Sequence, residues 1–362
     1  MNNSGLPPLI IGDLTIDPPF ILGGMGVRIS DHKLASAVAD LGMAGTIASV
    51  GLFDKKTDHA TFVTECNKAL AKEIRLARQL TEGPIGVNIM FALTNFEDLV
   101  KTSVEEKVDY IISGAGLPLN LPEFTKGTNI KLIPIVSSAK AAGIICKRWL
   151  IKYDRLPDAF IVEGVQAGGH LGFNKKEIDA WTPDSLKNIC IEVIKVADSY
   201  SKTTEIPVIA AGGVFDGNDI ASLLNAGVRG VQLATRFIAT DECTAPENFK
   251  RTIVRSKKED MIIIDSPVGL PGRVIKTPFS ERIAKGEKIA FKCTYHCLKT
   301  CDPSTSRFCI ADALTNAQHG NIEKGIIMAG YNAFRIDKIV PVKDLVNELV
   351  KETAQHLNMG FN

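Results

Sequence analysis

The chain has 362 residues, and its 42 Lys and Arg against 41 Asp and Glu give a formal net charge of +1 at pH 7. This balance argues against nucleic acid as the main partner, because proteins that neutralise many phosphates carry a basic excess. Hydrophobic residues make up 45% and charged residues 23%. These fractions are ordinary for a globular protein, so the composition argues against a disordered chain. The length fits two or three domains, or a single α/β barrel with an added segment.

No apolar stretch approaches the roughly 20 residues that a membrane-spanning helix needs. The longest promising uncharged stretch, residues 41–53, is short and rich in glycine. Residues 1–12 lack the basic start and apolar core of an export signal. We therefore expect a cytoplasmic protein whose eight cysteines are reduced thiols.

Eight short apolar runs alternate with amphipathic stretches in the first two thirds of the chain. The runs are nearly continuous in Ile, Val, Ala and Leu, which is typical of strands buried on both faces of a parallel sheet. In chain order they are residues 20–23, 44–48, 85–90, 110–113, 131–136, 159–163, 208–211 and 230–233. We refer to them as the first to the eighth run.

Helical spacing of apolar residues separates the runs. Leu34, Ala37, Val38 and Leu41 lie at i, i+3, i+4 and i+7, after Ser30 or Asp31 as the N-cap. Further helices are predicted at residues 65–80, 96–107, 138–153, 183–201 and 218–226. Eight strands alternating with helices predict a (β/α)8 TIM barrel over residues 1–240, with a doubly wound sheet as the alternative.

The alternation of strands and helices stops after Phe237. Helices are predicted at residues 240–255, 311–319 and 342–357, and residues 261–272 form a short apolar segment interrupted by Pro and Gly. We interpret residues 241–362 as a helical cap or second domain over the barrel mouth, with the C-terminal helix packing back on the barrel.

Glycines and small residues follow the runs, at the barrel end where the active sites of such barrels lie. Gly212 and Gly213 follow the seventh run, and Ala234 and Thr235 follow the eighth. Loops at these two positions commonly bind phosphate through backbone N–H groups, which favours a phosphate-bearing ligand over ordinary turn glycines. A Rossmann site is disfavoured because no G-x-G-x-x-G stretch stands between a strand and a helix.

Two ionisable residues also follow predicted strands. Lys140 comes after the fifth run, where a cation can stabilise negative charge on a cofactor ring, although its position alone fits a solvent-exposed helix lysine. His170 follows Gly168 and Gly169 after the sixth run. A histidine there can act as an acid or base, or hydrogen-bond a substrate oxygen.

The strand ends together carry a family resemblance over about residues 19–237. The motifs are Gly24-Met25-Gly26, Gly86-Val87-Asn88, Ser138-Ala139-Lys140-Ala141-Ala142-Gly143, Glu163-Gly164 with Ala167-Gly168-Gly169-His170, Ala210-Ala211-Gly212-Gly213-Val214, and Gly230-Val231-Gln232 with Thr235-Arg236-Phe237. In this combination the sequence resembles the nitronate monooxygenase family, formerly called 2-nitropropane dioxygenase. That family is related to the FMN-dependent enoyl-acyl-carrier-protein reductases.

The resemblance implies a TIM barrel that binds FMN without a covalent bond and oxidises alkyl nitronates with O2 through reduced flavin. It implies that His170 is the active-site histidine, which holds the nitro group or deprotonates a nitroalkane. It assigns flavin-ring contacts to Gly24, Met25, Gly26, Asn88 and Lys140, and ribityl and phosphate contacts to Gly168, Gly169, Gly212, Gly213, Ala234 and Thr235. A positive charge from Lys140 near the ring would favour the anionic reduced flavin.

Departures from the family pattern leave the branch of the family open. Gln166 stands where the reductase relatives commonly have an acidic residue, Ala234 replaces a commoner Gly, and Gly23-Gly24 replaces a common Gln-Ala-Pro. The alternatives are an NAD(P)H-dependent reductase of the enoyl-acyl-carrier-protein type and, more distantly, a phosphate–sugar barrel enzyme without flavin. The expected partners are a small-molecule substrate with O2 or NAD(P)H, and a homodimer is left open.

Half of the cysteines fall within 17 residues, as Cys293, Cys297, Cys301 and Cys309. The first three recur every four residues, so on a helix they would share one face. Four thiols can hold zinc or an iron–sulfur cluster, although the spacing is not the paired C-x2-C type. The alternative is a set of reduced thiols in the cap.

Overall fold

The computed structural model describes residues 4–53, 58, 60–201 and 205–359. The strands are β1 (Leu9–Ile11), β2 (Leu14–Ile16), β3 (Phe20–Leu22), β4 (Gly45–Ala48), β5 (Ile85–Met90), β6 (Tyr110–Gly114), β7 (Lys131–Val136), β8 (Phe160–Glu163), β9 (Gly169–His170), β10 (Val208–Ala211), β11 (Gly230–Leu233), β12 (Met261–Asp265), β13 (Pro271–Ile275) and β14 (Ile327–Met328). The α-helices are α1 (His32–Ala39), α2 (Phe62–Leu80), α3 (Phe96–Glu105), α4 (Leu121–Phe124), α5 (Ala139–Tyr153), α6 (Lys175–Asp179), α7 (Ser185–Tyr200), α8 (Gly217–Asn225), α9 (Thr235–Ile238), α10 (Glu247–Val254), α11 (Pro278–Ala284), α12 (Ile310–Gln318) and α13 (Val342–His356).

Eight parallel strands form a barrel in the order β3-β11-β10-β8-β7-β6-β5-β4. A parallel bridge between Ile21 and Ala44 joins the two ends of this sheet. Each of the eight predicted runs becomes one of these strands, with ends that differ by one residue at most. The predicted TIM barrel is confirmed, and the doubly wound alternative is wrong because such a sheet has two open edges.

The barrel interior is a separate apolar cluster, since side chains of successive strand residues point to opposite faces. Ile21, Ile161 and Ile209 point inward and pack together, while Phe20 and Leu22 pack outward in the larger core under the helices. The β1–β2 hairpin adds its own apolar side chains to the interior cluster. It closes the amino end of the barrel, so the open end is the one where the strands finish.

Helix starts follow the expected capping chemistry. The Asp31 carboxylate accepts hydrogen bonds from the backbone N–H groups of Lys33 and Leu34, and the Ser138 hydroxyl accepts one from Ala141. The helix predicted at residues 240–255 is shorter, because α10 begins only after Pro246. Proline disfavours helical backbone in the residue before it, so the preceding segment is irregular.

The C-terminal region was predicted to be a helical cap, but it also contains strands. The apolar segment at residues 261–272 contributes to an antiparallel hairpin of β12 and β13, and β14 pairs with the other edge of β13. The same strand pairs with β9, which belongs to the loop after β8. The cap therefore shares a sheet with the barrel loop that carries the predicted active-site histidine.

The C-terminal helix α13 packs against α8 of the barrel, where the Glu352 carboxylate accepts a hydrogen bond of 3.0 Å from the Gly217 backbone N–H. A Cβ on Gly217 would lie 2.3 Å from the Glu352 Cβ, so a larger residue would push the two helices apart. None of the described helices is long and apolar enough to cross a membrane.

Candidate active site

A cavity of about 250 Å³ lies at the carboxyl end of the barrel, between the strand-end loops and the C-terminal region. We call it the mouth cavity. It collects residues from the whole ring of strands because the carboxyl ends of parallel strands converge at one end of a barrel. Of the predicted site residues outside the cysteine cluster, those that line it are Gly24, Met25, Gly26, Asn88, Gly168, Gly169, His170, Gly212, Gly213, Ala234 and Thr235.

Lys140 is the predicted contact that the structure does not bring into the mouth cavity. It lies in the first turn of α5 with an exposed side chain, and it is not among the residues that line the cavity. This placement does not agree with a contact to a ring bound there. The first turn of α5 directs Lys140 to solvent instead.

Glycine is required on two walls of the mouth cavity by geometry. A Cβ on Gly24 would lie 2.3 Å from the Asn88 Cβ, so any side chain there would displace Asn88. Gly212 and Gly213 have φ values of +77° and +120°, a region that side chains other than glycine rarely adopt. The backbone therefore forms these parts of the cavity surface directly.

The C-terminal region completes the part of the cavity near Gly213. The Gly330 backbone N–H donates a 2.9 Å hydrogen bond to the Thr235 hydroxyl, and the Asn332 side chain donates a 2.8 Å bond to the Gly213 carbonyl. Both residues line the cavity, and sequence reasoning missed them. No local signal identifies them, since they lie about a hundred residues from the strands they contact.

Arg236 supplies a cationic side chain at the same end of the cavity. Its guanidinium lies over the Phe215 ring at 4.7 Å and pairs with the Glu348 carboxylate of α13 at 2.8 Å. The Glu348 carboxylate is partly exposed, so this ion pair contributes little to stability. It does fix the guanidinium beside the loops where a phosphate is expected.

His170 lies on the cavity wall with one ring nitrogen already engaged. Its Nε2 atom is 2.8 Å from the Ser266 hydroxyl, which follows β12 in the C-terminal sheet. Burial lowers the pKa of His170 to about 4, so the imidazole is neutral at neutral pH. The contact with Ser266 leaves Nδ1 as the ring nitrogen for a ligand.

Arg273 shapes the loop that carries His170. Its side chain is only 6% exposed, and it donates hydrogen bonds to the backbone carbonyls of Val165 and Ala167, the second at 2.9 Å. The guanidinium also lies 5.7 Å from the centre of the Tyr331 ring. Burial lowers the pKa of Arg273 to about 10, which still leaves it charged at neutral pH. Sequence reasoning missed this residue because nothing in β13 marks it.

Two further polar side chains face the mouth cavity from β8 and β11. Burial raises the pKa of Glu163 to about 7, so a large share of this carboxyl group is protonated at neutral pH. The Gln232 amide oxygen is buried and has no hydrogen-bond partner among the described residues. A buried acceptor without a partner is costly, and a donor on a bound molecule would remove that cost.

The cysteine cluster does not have the helical geometry that the metal hypothesis assumed. The segment between α11 and α12, which holds Cys293, Cys297 and Cys301, contains no helix. Cys309 occupies the N-cap position of α12 without a side-chain capping bond. Burial, and then the neighbouring thiols, raise the pKa of Cys297 to about 12, so this thiol is protonated at neutral pH. Within the described residues, no group of three or more His, Cys, Asp or Glu is placed to hold a metal ion.

The model of one protein family, described as nitronate monooxygenase, matches residues 8–352. The chain belongs to the nitronate monooxygenase family. This membership confirms the family resemblance of the strand-end motifs and makes the protein an FMN-dependent oxidoreductase. The alternative of a phosphate–sugar enzyme without flavin is therefore wrong.

Several known proteins are similar over most of their length. A (3aS,4S,5R,7aS)-5-hydroxy-7a-methyl-1-oxo-octahydro-1H-indene-4-carboxyl-CoA dehydrogenase of Mycobacterium tuberculosis is 26% identical over 94% of each chain. A probable nitronate monooxygenase of Staphylococcus saprophyticus is 26% identical over 76% of this chain and 80% of its own. The solved structure of FabK from Thermotoga maritima is 30% identical, with a TM-score of 0.75 over 94% of each chain.

The residues of the mouth cavity fit the flavin that the family uses. The Gln232 oxygen without a partner matches the N–H group of an isoalloxazine ring, and the wall at Gly24 has no room for a side chain. The loops at Gly212 and Gly213 present backbone where a phosphate is expected, with Arg236 beside them. By contrast, the cysteine cluster, as the described residues place it, does not fit a metal.

Proposed function

We propose that the mouth cavity binds FMN, with the ring beside Met25 and Asn88 and the phosphate near Gly213 and Thr235. Two observations support this orientation. The orphaned Gln232 oxygen lies on β11 inside the barrel mouth, and the cationic Arg236 directly follows Thr235 on α9. The positive charge of Arg236 stabilises an anionic phosphate. The apolar surface of Met25 and the amide of Asn88 stabilise a planar ring.

We propose that the protein oxidises alkyl nitronates, with O2 as the final electron acceptor. The observation that carries this proposal is a neutral His170 on the cavity wall, oriented through Nε2 by Ser266. Bound FMN would supply the redox chemistry by taking electrons from the substrate and passing them to O2. The protein must then hold the substrate against the flavin ring and, for a neutral nitroalkane, accept the proton from the substrate carbon.

His170 can perform both tasks because the Ser266 hydroxyl can donate or accept a hydrogen bond. When Ser266 donates to Nε2, Nδ1 carries the proton and can donate to a nitro oxygen of the anion. When Ser266 accepts from Nε2–H, Nδ1 is free to accept a proton from the carbon of a neutral nitroalkane. A pKa near 4 keeps the ring neutral for either role at neutral pH.

The test is anaerobic reduction of the purified FMN-bound protein. The rate of reduction is measured from the bleaching of the flavin absorbance. We expect ethyl nitronate to bleach the flavin rapidly and NADH or NADPH to do so slowly. His170→Ala should keep the flavin spectrum and lose the nitronate reaction. Rapid bleaching by a nicotinamide with none by nitronate would overturn the proposal.

A second candidate is an NAD(P)H-dependent reductase of the enoyl-thioester type. The observation that favours it is the 30% identity to FabK over 94% of both chains, which exceeds the 26% to the probable nitronate monooxygenase. In this reaction His170 would donate a hydrogen bond to a carbonyl oxygen of the substrate. The bleaching experiment separates the two candidates, because only this one requires fast reduction by NADH or NADPH.

A further inference from the structure

The outward face of α5 exposes large apolar side chains to solvent. Ile144 is 40% exposed, Leu150 41% and Ile151 72%. Among the described residues seven large apolar side chains are exposed, and these three share one helix. An apolar side chain that is exposed singly needs no explanation, whereas a group of them on one surface is typical of an interaction site.

The same helix carries cations without acidic partners. It contains no Asp or Glu, and among the described residues its ion pair is the one between Lys152 and Glu123 of α4, at 3.1 Å. Lys140, Lys147 and Arg148 are exposed, and no described carboxylate pairs with them. An excess of positive charge therefore remains on this face, although the whole chain has a net charge of only +1.

The apolar residues and the cations alternate along one line. Lys140, Ile144, Lys147 and Ile151 follow one another at intervals of four, three and four residues, which places them on one side of the helix. The buried residues of α5 lie on the opposite side. The line is about 17 Å long, since each residue adds ~1.5 Å. We call these four residues, together with the neighbouring Arg148, the α5 stripe.

Helix stability does not account for the charges of the α5 stripe. Lys140 lies in the first turn, where the positive end of the helix dipole disfavours a cation. Arg148 and Lys152 stand four residues apart, an arrangement in which like charges repel each other. A surface that serves only solubility mixes charges of both signs. The cations therefore fit a role outside the helix.

The α5 stripe begins beside the mouth cavity. Because α5 follows β7, its first turn lies at the carboxyl end of the barrel. There Ser137 lies against the loop that carries His170, since a Cβ on Gly172 would be 2.5 Å from the Ser137 Oγ. A partner bound along the stripe would therefore stand next to the loop of the active-site histidine.

The charge pattern disfavours a second copy of the chain and a lipid surface as the partner. Two copies of the α5 stripe would bring cations together with no acid on either side. Helices that lie on a bilayer separate a broad apolar face from a cationic face. Here Lys147 stands between Ile144 and Ile151, so a bilayer that buried the two isoleucines would bury a charge as well.

A protein surface can satisfy both kinds of side chain, with a carboxylate opposite each cation and an apolar residue opposite each isoleucine. A partner strand would need an unpaired sheet edge, which a helix does not offer. A partner helix can pack along α5 with residues at the same intervals.

We propose that the α5 stripe docks a partner protein that presents an acidic amphipathic helix. Carboxylates of the partner pair with Lys140, Lys147 and Arg148, and its apolar residues cover Ile144 and Ile151. The stripe is short, so the interface is small and the complex is transient. The proposal does not depend on which substrate the mouth cavity takes.

The test uses a designed peptide of about 18 residues, or five helical turns, as the probe. Glu and Leu alternate on one face at intervals of four, three and four residues, and a hydrocarbon cross-link on the other face holds the helix. The comparison peptide has Lys in place of each Glu. Fluorescence anisotropy of the labelled peptides measures binding to the FMN-bound protein. We expect saturable binding of the acidic peptide and none of the basic one.

Charge reversal gives the sharpest variant. Lys147→Glu combined with Arg148→Glu should weaken binding of the acidic peptide at least tenfold and create binding of the basic peptide. Because both side chains are exposed, the Tm should stay at the wild-type value. Lys351→Glu, at an exposed lysine of α13, is the matched control and should leave both affinities within twofold of the wild type.

A second variant tests the apolar part of the α5 stripe. Ile144→Gln combined with Ile151→Gln should also weaken the acidic peptide at least tenfold, since glutamine keeps helix propensity but removes apolar surface. The matched control is Leu80→Gln, at a leucine of α2 that is 55% exposed. That substitution should leave the affinity within twofold of the wild type.

The alternative partners have their own outcomes in the same experiment. Binding to phosphatidylglycerol vesicles that is lost in both stripe variants, with no binding of the acidic peptide, would assign the α5 stripe to a lipid surface and overturn the proposal. Dimerisation in sedimentation experiments that is lost in Ile144→Gln with Ile151→Gln would assign the stripe to a second copy and overturn it too. Equal binding of the two peptides, or unchanged binding in both stripe variants, would likewise contradict it.

Discussion

The Nε2 atom of His170 lies 2.8 Å from the Ser266 hydroxyl, and this contact joins a barrel loop to the C-terminal sheet. His170 belongs to β9, which pairs antiparallel with β13, and Ser266 lies in the connection between β12 and β13. The orientation of the imidazole therefore depends on a segment about a hundred residues away in the chain. The barrel supplies the histidine, and the cap determines which of its nitrogens faces the cavity.

Removing the Ser266 hydroxyl should release the imidazole without removing it. For Ser266→Ala we expect kcat to fall roughly ten- to hundredfold, because a small misplacement of a catalytic group is costly. FMN affinity should stay unchanged, and steady-state kinetics with ethyl nitronate measures the effect. Ser199→Ala, at an exposed serine of α7, is the control that should match the wild type. Wild-type kcat in Ser266→Ala would show that the contact does not orient the ring.

Removing the imidazole should affect chemistry and spare the cofactor. For His170→Ala we expect full FMN occupancy and a loss of roughly 100- to 10,000-fold in turnover, the usual contribution of a positioned acid or base. The flavin absorbance gives the occupancy, and oxygen consumption gives the turnover. Unchanged turnover would remove His170 from the mechanism.

Two buried groups give opposite contributions to the pH dependence of stability. Burial lowers the pKa of His170 from 6.5 to about 4 and raises that of Glu163 from 4.5 to about 7. The stability from a neutral His170 is present above pH 6.5 and lost as pH falls toward 4, since the unfolded chain binds the proton first. The stability from a protonated Glu163 is present below pH 4.5 and lost as pH rises toward 7.

Variants that cannot titrate separate these two contributions in the flavin-free protein. Relative to the wild type, the Tm of Glu163→Gln should rise as pH increases from 4.5 to 7. The Tm of His170→Gln should rise relative to the wild type as pH decreases from 6.5 to 4. Thermal unfolding at intervals of half a pH unit measures both. Differences in Tm that do not change with pH would show that these groups keep their ordinary pKa values.

A side chain at Gly24 should close the ring end of the mouth cavity. In Gly24→Ala the new Cβ would lie 2.3 Å from the Asn88 Cβ, so Asn88 must move. We expect FMN affinity to fall at least tenfold, measured by titration of the flavin-free protein. Gly143→Ala, within α5, is the control, because its new Cβ would meet only the Val196 Cγ1 of α7, at an ordinary contact distance of 3.9 Å. That substitution should keep FMN affinity and stabilise the fold by about 0.5–1 kcal/mol.

Removing the charge of Arg273 should destabilise the loop before His170. Arg273→Met keeps an apolar stem but leaves the carbonyls of Val165 and Ala167 without their donor. We expect a loss of about 1–3 kcal/mol in the free energy of unfolding, measured by urea denaturation, together with weaker FMN binding. Arg229→Met, at an exposed ion pair with Glu205, should change stability by less than about 1 kcal/mol.

The barrel followed from the sequence alone, and the sequence also indicated most of the predicted site residues that line the mouth cavity. Continuous apolar runs that alternate with amphipathic helices are typical of strands buried on both faces, and the residue after such a strand in a barrel lies at the mouth. For that reason His170, Gly212 and Gly213 were predicted from position, whereas Asn88 was predicted from the family resemblance, and all of them line the mouth cavity. The strand bounds were accurate because the runs end at small or polar residues.

The tertiary structure alone decided which side chains act together across long separations. Ser266, Arg273, Gly330 and Asn332 come from the C-terminal region, and no local pattern marks them. Lys140 has the right position after a strand, yet the direction of the first turn of α5 leaves it exposed. The spacing of Cys293 and Cys297 predicted a helical face, but the segment is irregular. A periodic pattern reports burial along one element, whereas a site depends on where elements distant in the chain meet.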